Sequence, residues 1–202
     1  AMTAAFLVDS QFEALHKAGS SVVRPFDESA VQPASIDLRL GNTETVYDFK
    51  EYVLGQDIPQ DRICQRQFGV RKVAPGETVF VTLKETIRIP GDCLGFVFPR
   101  SSITRLGIAI PPVFMNPGYE GQLLLTIKNT TSIEITIMPD VRVAQLVCAQ
   151  LAAVPSAGYA ERGGKYAGEA GSASLIASDA DIQAAVRRIL ESSVPDSLRG
   201  KI

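Results

Sequence analysis

Leu94-Gly95-Phe96-Val97-Phe98-Pro99-Arg100-Ser101-Ser102-Ile103-Thr104-Arg105-Leu106-Gly107 joins two unlike pieces of chain. Leu94 to Phe98 is an apolar run of strand length and composition, which reads as a buried strand. Two guanidinium groups and three hydroxyls follow within Arg100 to Arg105, donors of the kind that bind an anion. On both sides the pattern stays β. Ala74-Pro75-Gly76-Glu77 is a turn, Thr78 to Leu83 and Thr86 to Ile89 read as strands, and Pro90-Gly91-Asp92 turns the chain into the quoted run. Further strands are expected at Gly107 to Ile110, Gln122 to Lys128, Ile133 to Ile137 and Arg142 to Ala149. Many short strands separated by turn residues predict an all-β barrel or sandwich.

Upstream, Asp9 to Ala18 predicts a short helix capped by Asp9 or Ser10 and stopped by Gly19. In Ser35-Ile36-Asp37-Leu38-Arg39-Leu40-Gly41 the alternation places Ile36, Leu38 and Leu40 on one face and Asp37 and Arg39 on the other, a half-buried strand. Asn42 to Gln67 mixes aromatic and charged residues and reads as an elaborated loop or short strands. Asn116-Pro117-Gly118-Tyr119 has Pro and Gly at the central positions of a type II turn. Beyond Val154 the chain is rich in Gly and Ala, with Tyr159, Arg162, Lys165 and Tyr166 interspersed, the composition of either a flexible linker or a segment that orders on a ligand. After the capping signal Ser178-Asp179-Ala180-Asp181, Ile182, Ala185, Val186, Ile189 and Leu190 share one helical face, and Pro195 ends the helix. The expected division is a β domain over 1–155, a glycine-rich segment over 156–176, and a C-terminal helix and tail over 177–202. That helix is expected to dock on its own barrel or on a neighbouring subunit.

A net charge of −2 offers no excess of cations to displace counterions from a polyanion, so neither nucleic acid nor an anionic membrane is an expected partner. No window reaches the length of a membrane span and the first residues lack a leader pattern, so the expected location is cytoplasmic. Three widely spaced cysteines, Cys64, Cys93 and Cys148, suit reduced thiols, the latter two in apolar runs. A zinc-dependent nucleobase deaminase needs a His or Cys ligand beside a Glu and a downstream Cys-x-x-Cys pair, and neither is present, so no zinc is expected. With His16 the single histidine, in a predicted surface helix, a Ser-His-Asp triad has no support.

Four stretches in order resemble the dCTP deaminase and trimeric dUTPase superfamily, and its dCTP deaminase branch more closely: Ser35 to Gly41, Arg100 to Gly107, Asn116-Pro117-Gly118-Tyr119-Glu120-Gly121, and Gly164-Lys165-Tyr166-Ala167-Gly168-Glu169. The resemblance implies a distorted β jelly-roll subunit in a homotrimer, with nucleotide sites between subunits and Mg²⁺ accompanying the triphosphate. By matching position, Arg100, Ser101, Ser102 and Arg105 look like phosphate and active-site contacts. The hairpin from Pro111 to Asn116, with Pro112 and Val113, looks like the pyrimidine and sugar pocket. Tyr159, Lys165 and Glu169 match a C-terminal segment that closes over the phosphates. The ligand implied is a pyrimidine deoxynucleoside triphosphate.

The departures fall on the acids. Where the deaminase branch places the glutamate that activates water for attack on cytosine C4, this chain has Thr126, and a hydroxyl without a nearby histidine is a poor base near neutral pH. Where the dUTPase branch and the bifunctional members use an aspartate before the turn, it has Asn116, whose amide has no basic lone pair. Glu169 stands where the family usually has Gln, and bulky Val113, Phe114 and Met115 lie where the base would enter. Two functions follow from the resemblance. One is a zinc-independent deaminase acting on dCTP or a modified pyrimidine nucleotide, with water held by Ser101 and Thr126. The other is a catalytically silent nucleotide-binding regulator or sensor.

Overall fold

The computed structural model describes residues 5–54 and 56–193. In chain order its elements are β1 (Ala5–Phe6), α1 (Asp9–Lys17), β2 (Val23–Arg24), β3 (Val31–Gln32), β4 (Ser35–Tyr47), β5 (Ile63–Gln67), β6 (Arg71–Val73), β7 (Thr78–Leu83) and β8 (Thr86–Arg88). They continue with β9 (Cys93–Pro99), α2 (Ser101–Arg105), β10 (Ile108–Ala109), β11 (Val113–Met115), β12 (Glu120–Gln122), β13 (Leu124–Asn129), β14 (Ile135–Ile137), β15 (Arg142–Gln150), β16 (Glu169–Ala170) and α3 (Ala180–Ser193). The main sheet runs β10-β13-β7-β4-β15-β9-β11, a second runs β16-β12-β8-β2, and β14 pairs with β6. The main sheet curls into the half-barrel of a jelly-roll-like, all-β fold, as the strand pattern predicts.

The long strand β4 makes the curl possible. Its first half pairs with β15, Ile36 opposite Leu146, and its second half pairs with β7, Thr45 opposite Phe80. The register with β7 shifts between Leu40 and Glu44, a bulge that bends the strand. Gly41 sits in this bend, where a Cβ would lie 2.5 Å from the Thr82 carbonyl oxygen, so only glycine lets the two backbones approach. The inward rows, including Ile36, Leu38, Leu40, Val81, Leu83, Val97, Leu125 and Leu146, form one continuous core.

Several local expectations change. Asp37 was expected on a solvent face beside Arg39, but it is 3% exposed, because Arg100 and Arg142 fold over it. Leu94 to Phe98 is not wholly buried. Cys93, Gly95 and Val97 point into the core while Phe96 and Phe98 point outward and stack on each other, as expected of an antiparallel strand with one face on the core. Within Asn42 to Gln67 the strand alternative holds in part, since β4 continues to Tyr47 and the short β5 returns along it.

Helix α1 starts one residue earlier than the capping residues suggest. Val8 is its N-cap, and the Val8 amide donates to Gln11 Oε1 at 3.1 Å. The Asn116 to Tyr119 turn is as read, with Gly118 at φ +77° and the Tyr119 amide donating to the Asn116 carbonyl at 3.1 Å. Pro111 to Asn116 is not a self-contained hairpin, because β11 pairs with β9, placing Phe114 opposite Phe96. Cys93 and Cys148 are buried free thiols, both pushed by burial up to about 12, and Cys64 is exposed. Among the described residues no helix is long and apolar enough to cross a membrane.

The amphipathic C-terminal helix forms, running as α3 from Ala180, with Ile182, Ala185 and Val186 half-buried and Ile189 60% exposed. The Leu190 side chain and Pro195 lie outside what is described.

Candidate functional site

Strand β9 delivers the polar cluster. At its end the Arg100 amide donates to the Val143 carbonyl at 3.0 Å, which fixes where the chain leaves the sheet, and Ser101–Arg105 then forms one helical turn. Arg100 turns back toward the barrel. Its Nε lies 3.5 Å from Asp37 Oδ1 and its Nη1 donates to the Arg142 carbonyl at 3.3 Å. The second Asp37 oxygen is buried without a hydrogen bond, 4.0 Å from Arg142 Nη1. Ser101, Ser102 and Arg105 are exposed, and among the described residues Arg105 has no ion-pair partner.

The cavity lies elsewhere on the same chain. It encloses about 400 Å³ between β11, the Asn116 turn, β13 and the tail. Tyr47, Phe80, Phe114, Tyr119, Tyr159 and Tyr166 supply aromatic walls, with Val113, Met115, Leu123 and Leu124 as aliphatic ones. Its polar groups come from Asn116, Thr126, Glu169, Ser172 and Ser174, besides the tyrosine hydroxyls. Thr126 reaches it because β13 lies beside β7 with Thr126 opposite Phe80, on the face away from the buried Leu125 and Ile127.

The glycine-rich segment closes this cavity by strand pairing. β16 runs parallel to β12, Glu169 opposite Gly121, and the amides of Gly168 and Gly171 donate to the carbonyls of Glu120 and Gln122, each at 2.7 Å. Tyrosine hydroxyls cross-link the rest: Tyr159 accepts from the Tyr166 amide at 3.2 Å, Tyr166 from the Leu175 amide at 3.0 Å, and Tyr47 from the Ser174 amide at 2.9 Å. The Tyr119 hydroxyl donates to Glu169 Oε1 at 2.6 Å. Burial lifts the Glu169 carboxyl above the usual range, while the Tyr119 bond partly offsets it. Burial and the carboxylate together raise the Tyr119 phenol.

Of the residues singled out from sequence, Asn116, Thr126, Val113, Tyr159 and Glu169 line this one cavity. Arg100, Ser101, Ser102, Arg105, Pro112 and Lys165 do not. Lys165 instead bonds Asp179 at 2.5 Å, which raises its ammonium pKa, and stands 5.8 Å over the Tyr166 ring. Sequence reasoning missed Tyr47, Phe80, Tyr119, Tyr166, Ser172 and Ser174 as cavity groups. The signal available for Phe80 was strand alternation, since Val79 and Val81 on either side of it are buried.

A curled, jelly-roll-like β fold thus carries a ring-lined cavity, a tail strand laid across it and a separate Arg-Ser-Ser turn. The chain belongs to the dCTP deaminase-like family, whose model matches residues 6–151. It is 31% identical over 189 residues to the dCTP deaminase, dUMP-forming, of Nanoarchaeum equitans, covering 83% of this chain and 95% of the relative. It is 34% identical over 176 residues to the dCTP deaminase of Halorubrum lacusprofundi, covering 80% and 86%. Among solved structures, the 2′-deoxycytidine 5′-triphosphate deaminase of Agrobacterium tumefaciens matches with a TM-score of 0.59 and 25% identity over 74% of this chain. This chain spans 49% of that structure's length.

Proposed function

We propose that the protein binds a pyrimidine deoxynucleoside triphosphate and converts dCTP to dUTP by hydrolytic deamination without zinc. The observation that carries this is the cavity. A flat heteroaromatic ring is matched by aromatic walls, and the Asn116 amide offers both a donor and an acceptor to its polar edge. Relatives named dCTP deaminase cover most of the chain, which supports the same substrate class.

The phosphate end of the reading needs a second subunit. Ser101, Ser102 and Arg105 are exposed and do not line the cavity of their own chain, which is the disposition expected if each subunit of a homotrimer lends its turn to a neighbour's cavity. The outward row Phe96, Phe98 and Phe114, the last 53% exposed, is a suitable apolar contact for that assembly. In that complex Arg105 and the hydroxyls hold phosphate oxygens, while Arg100, tied to Asp37, fixes the geometry of the turn. Mg²⁺ would accompany the triphosphate, bound chiefly through its phosphate oxygens and water.

A second reading, a silent nucleotide-binding regulator, is favoured by Thr126 and Asn116 standing where the family's acids are expected. The test is purified protein with dCTP and dUTP, following binding by calorimetry and ammonia or pyrophosphate release, with light scattering for the trimer. Turnover of dCTP lost in Arg105→Ala supports the enzyme; tight binding without turnover supports the regulator; no binding of either nucleotide removes both.

A further inference from the structure

We propose that Glu169, carried on the tail strand, supplies the acid–base carboxylate of the deamination that neither Thr126 nor Asn116 can supply. The inference rests on the deaminase reading above. Among the described residues, Glu169 is the one carboxylate lining the cavity, and it shares that cavity with both Thr126 and Asn116. Its position is built rather than incidental. The β16–β12 pairing fixes its backbone opposite Gly121, a Cβ at Gly121 would lie 2.9 Å from Glu169 Cγ, and Tyr119 holds one carboxylate oxygen at 2.6 Å. The Ser172 backbone also hydrogen-bonds the carboxylate, and the lone pairs these two donors leave can meet a water or the substrate.

The groups facing Glu169 decide its chemistry. Tyr119 from the turn, Tyr159, Tyr166 and Ser172 from the tail and Tyr47 from β4 share the cavity, and among the described residues no Lys, Arg, His or second carboxylate lines it. An isolated carboxylate among rings resists ionisation, which moves its basicity toward neutral pH, where a general base is most effective. In the reaction, Glu169 takes a proton from water as the oxygen bonds to C4 of the cytosine ring, and the N3=C4 electron pair moves to N3. Glu169 hands that proton to N3. It then passes the proton of the new C4 hydroxyl to the exocyclic amine; the C4–N bond breaks, ammonia leaves, and C4=O with N3–H remains. One water is consumed and one ammonia released.

The test uses the full chain with dCTP and the variants Glu169→Gln and Glu169→Asp, with binding by calorimetry, ammonia release and its pH profile. Glu169→Gln should bind dCTP within about threefold of the parent and lose about 10² to 10⁴-fold in kcat, the scale of a lost general base. The acid limb of the parent's kcat profile should vanish in Glu169→Gln and persist, at lower rate, in Glu169→Asp. Ammonia release by Glu169→Gln within about threefold of the parent, or a parent that binds dCTP without turnover, overturns the assignment. A parent that does not bind dCTP at all overturns the nucleotide reading beneath it, and the binding measurement separates that failure from the others.

Discussion

The Tyr119 hydroxyl donates a 2.6 Å hydrogen bond to Glu169, joining the Asn116 turn to the tail strand inside the cavity. Docking raises the Glu169 pKa above 4.5, so the docked tail binds the proton more tightly than the free tail. Docking is therefore fully favoured below about pH 4.5 and weakens as pH rises through the docked value. Hydrogen exchange, corrected for its intrinsic pH dependence, should show protection of the Gly168 and Gly171 amides falling over that window in the parent. Glu169→Gln should show no such fall.

Gly121 is where the tail backbone comes closest. A Cβ there would lie 3.1 Å from the Glu169 amide nitrogen and 3.0 Å from the Tyr119 oxygen, so Gly121→Ala should push the strand off rather than be absorbed. Trypsin cleavage after Arg162 and Lys165 should quicken by about tenfold, equivalent to about 1.4 kcal/mol of docking. The main-sheet unfolding midpoint should move little.

Arg100 and Arg105 look alike in sequence but are set in different surroundings. Asp37→Ala leaves Arg100 and Arg142 facing each other without their carboxylate, and should lower stability in urea by about 1–3 kcal/mol, less than for a fully buried pair because both arginines reach water. Arg105→Ala, at an exposed position, should change stability by less than about 0.5 kcal/mol. If Arg105 grips phosphate in the assembled site, the same change should weaken dCTP binding by about 10 to 100-fold.

The run of short strands, the type II turn and the amphipathic tail helix were legible because each rests on local periodicity or on Pro and Gly. Asp37 was not. Alternation puts it on the outer face of β4, and only the long-range approach of Arg100 and Arg142 buries it. The site was legible in parts: Asn116, Thr126 and Glu169 stand out in the motifs, yet their meeting depends on a parallel pairing between β12 and β16 that no local pattern encodes. Lys165 shows the converse, a cation within the last motif that the fold ties to Asp179 rather than to the cavity.

Thr126 and Glu169 allow an exchange of roles across the cavity. Thr126 lies half-buried on β13, so a glutamate there enters the same space that Glu169 occupies. In the Glu169→Gln background, Thr126→Glu restores a single carboxylate to the cavity from the sheet side, and dCTP deamination should recover by about tenfold or more over Glu169→Gln alone, a fraction of what a general base contributes. In the parent background, Thr126→Glu instead places two carboxylates in one poorly solvated space. One of them must then stay protonated to higher pH, so the acid limb of the kcat profile should shift upward. A pH series on the single and double variants reads both outcomes. Recovery in the double variant without any upward shift in the single one would mean that the two carboxylates do not share a site.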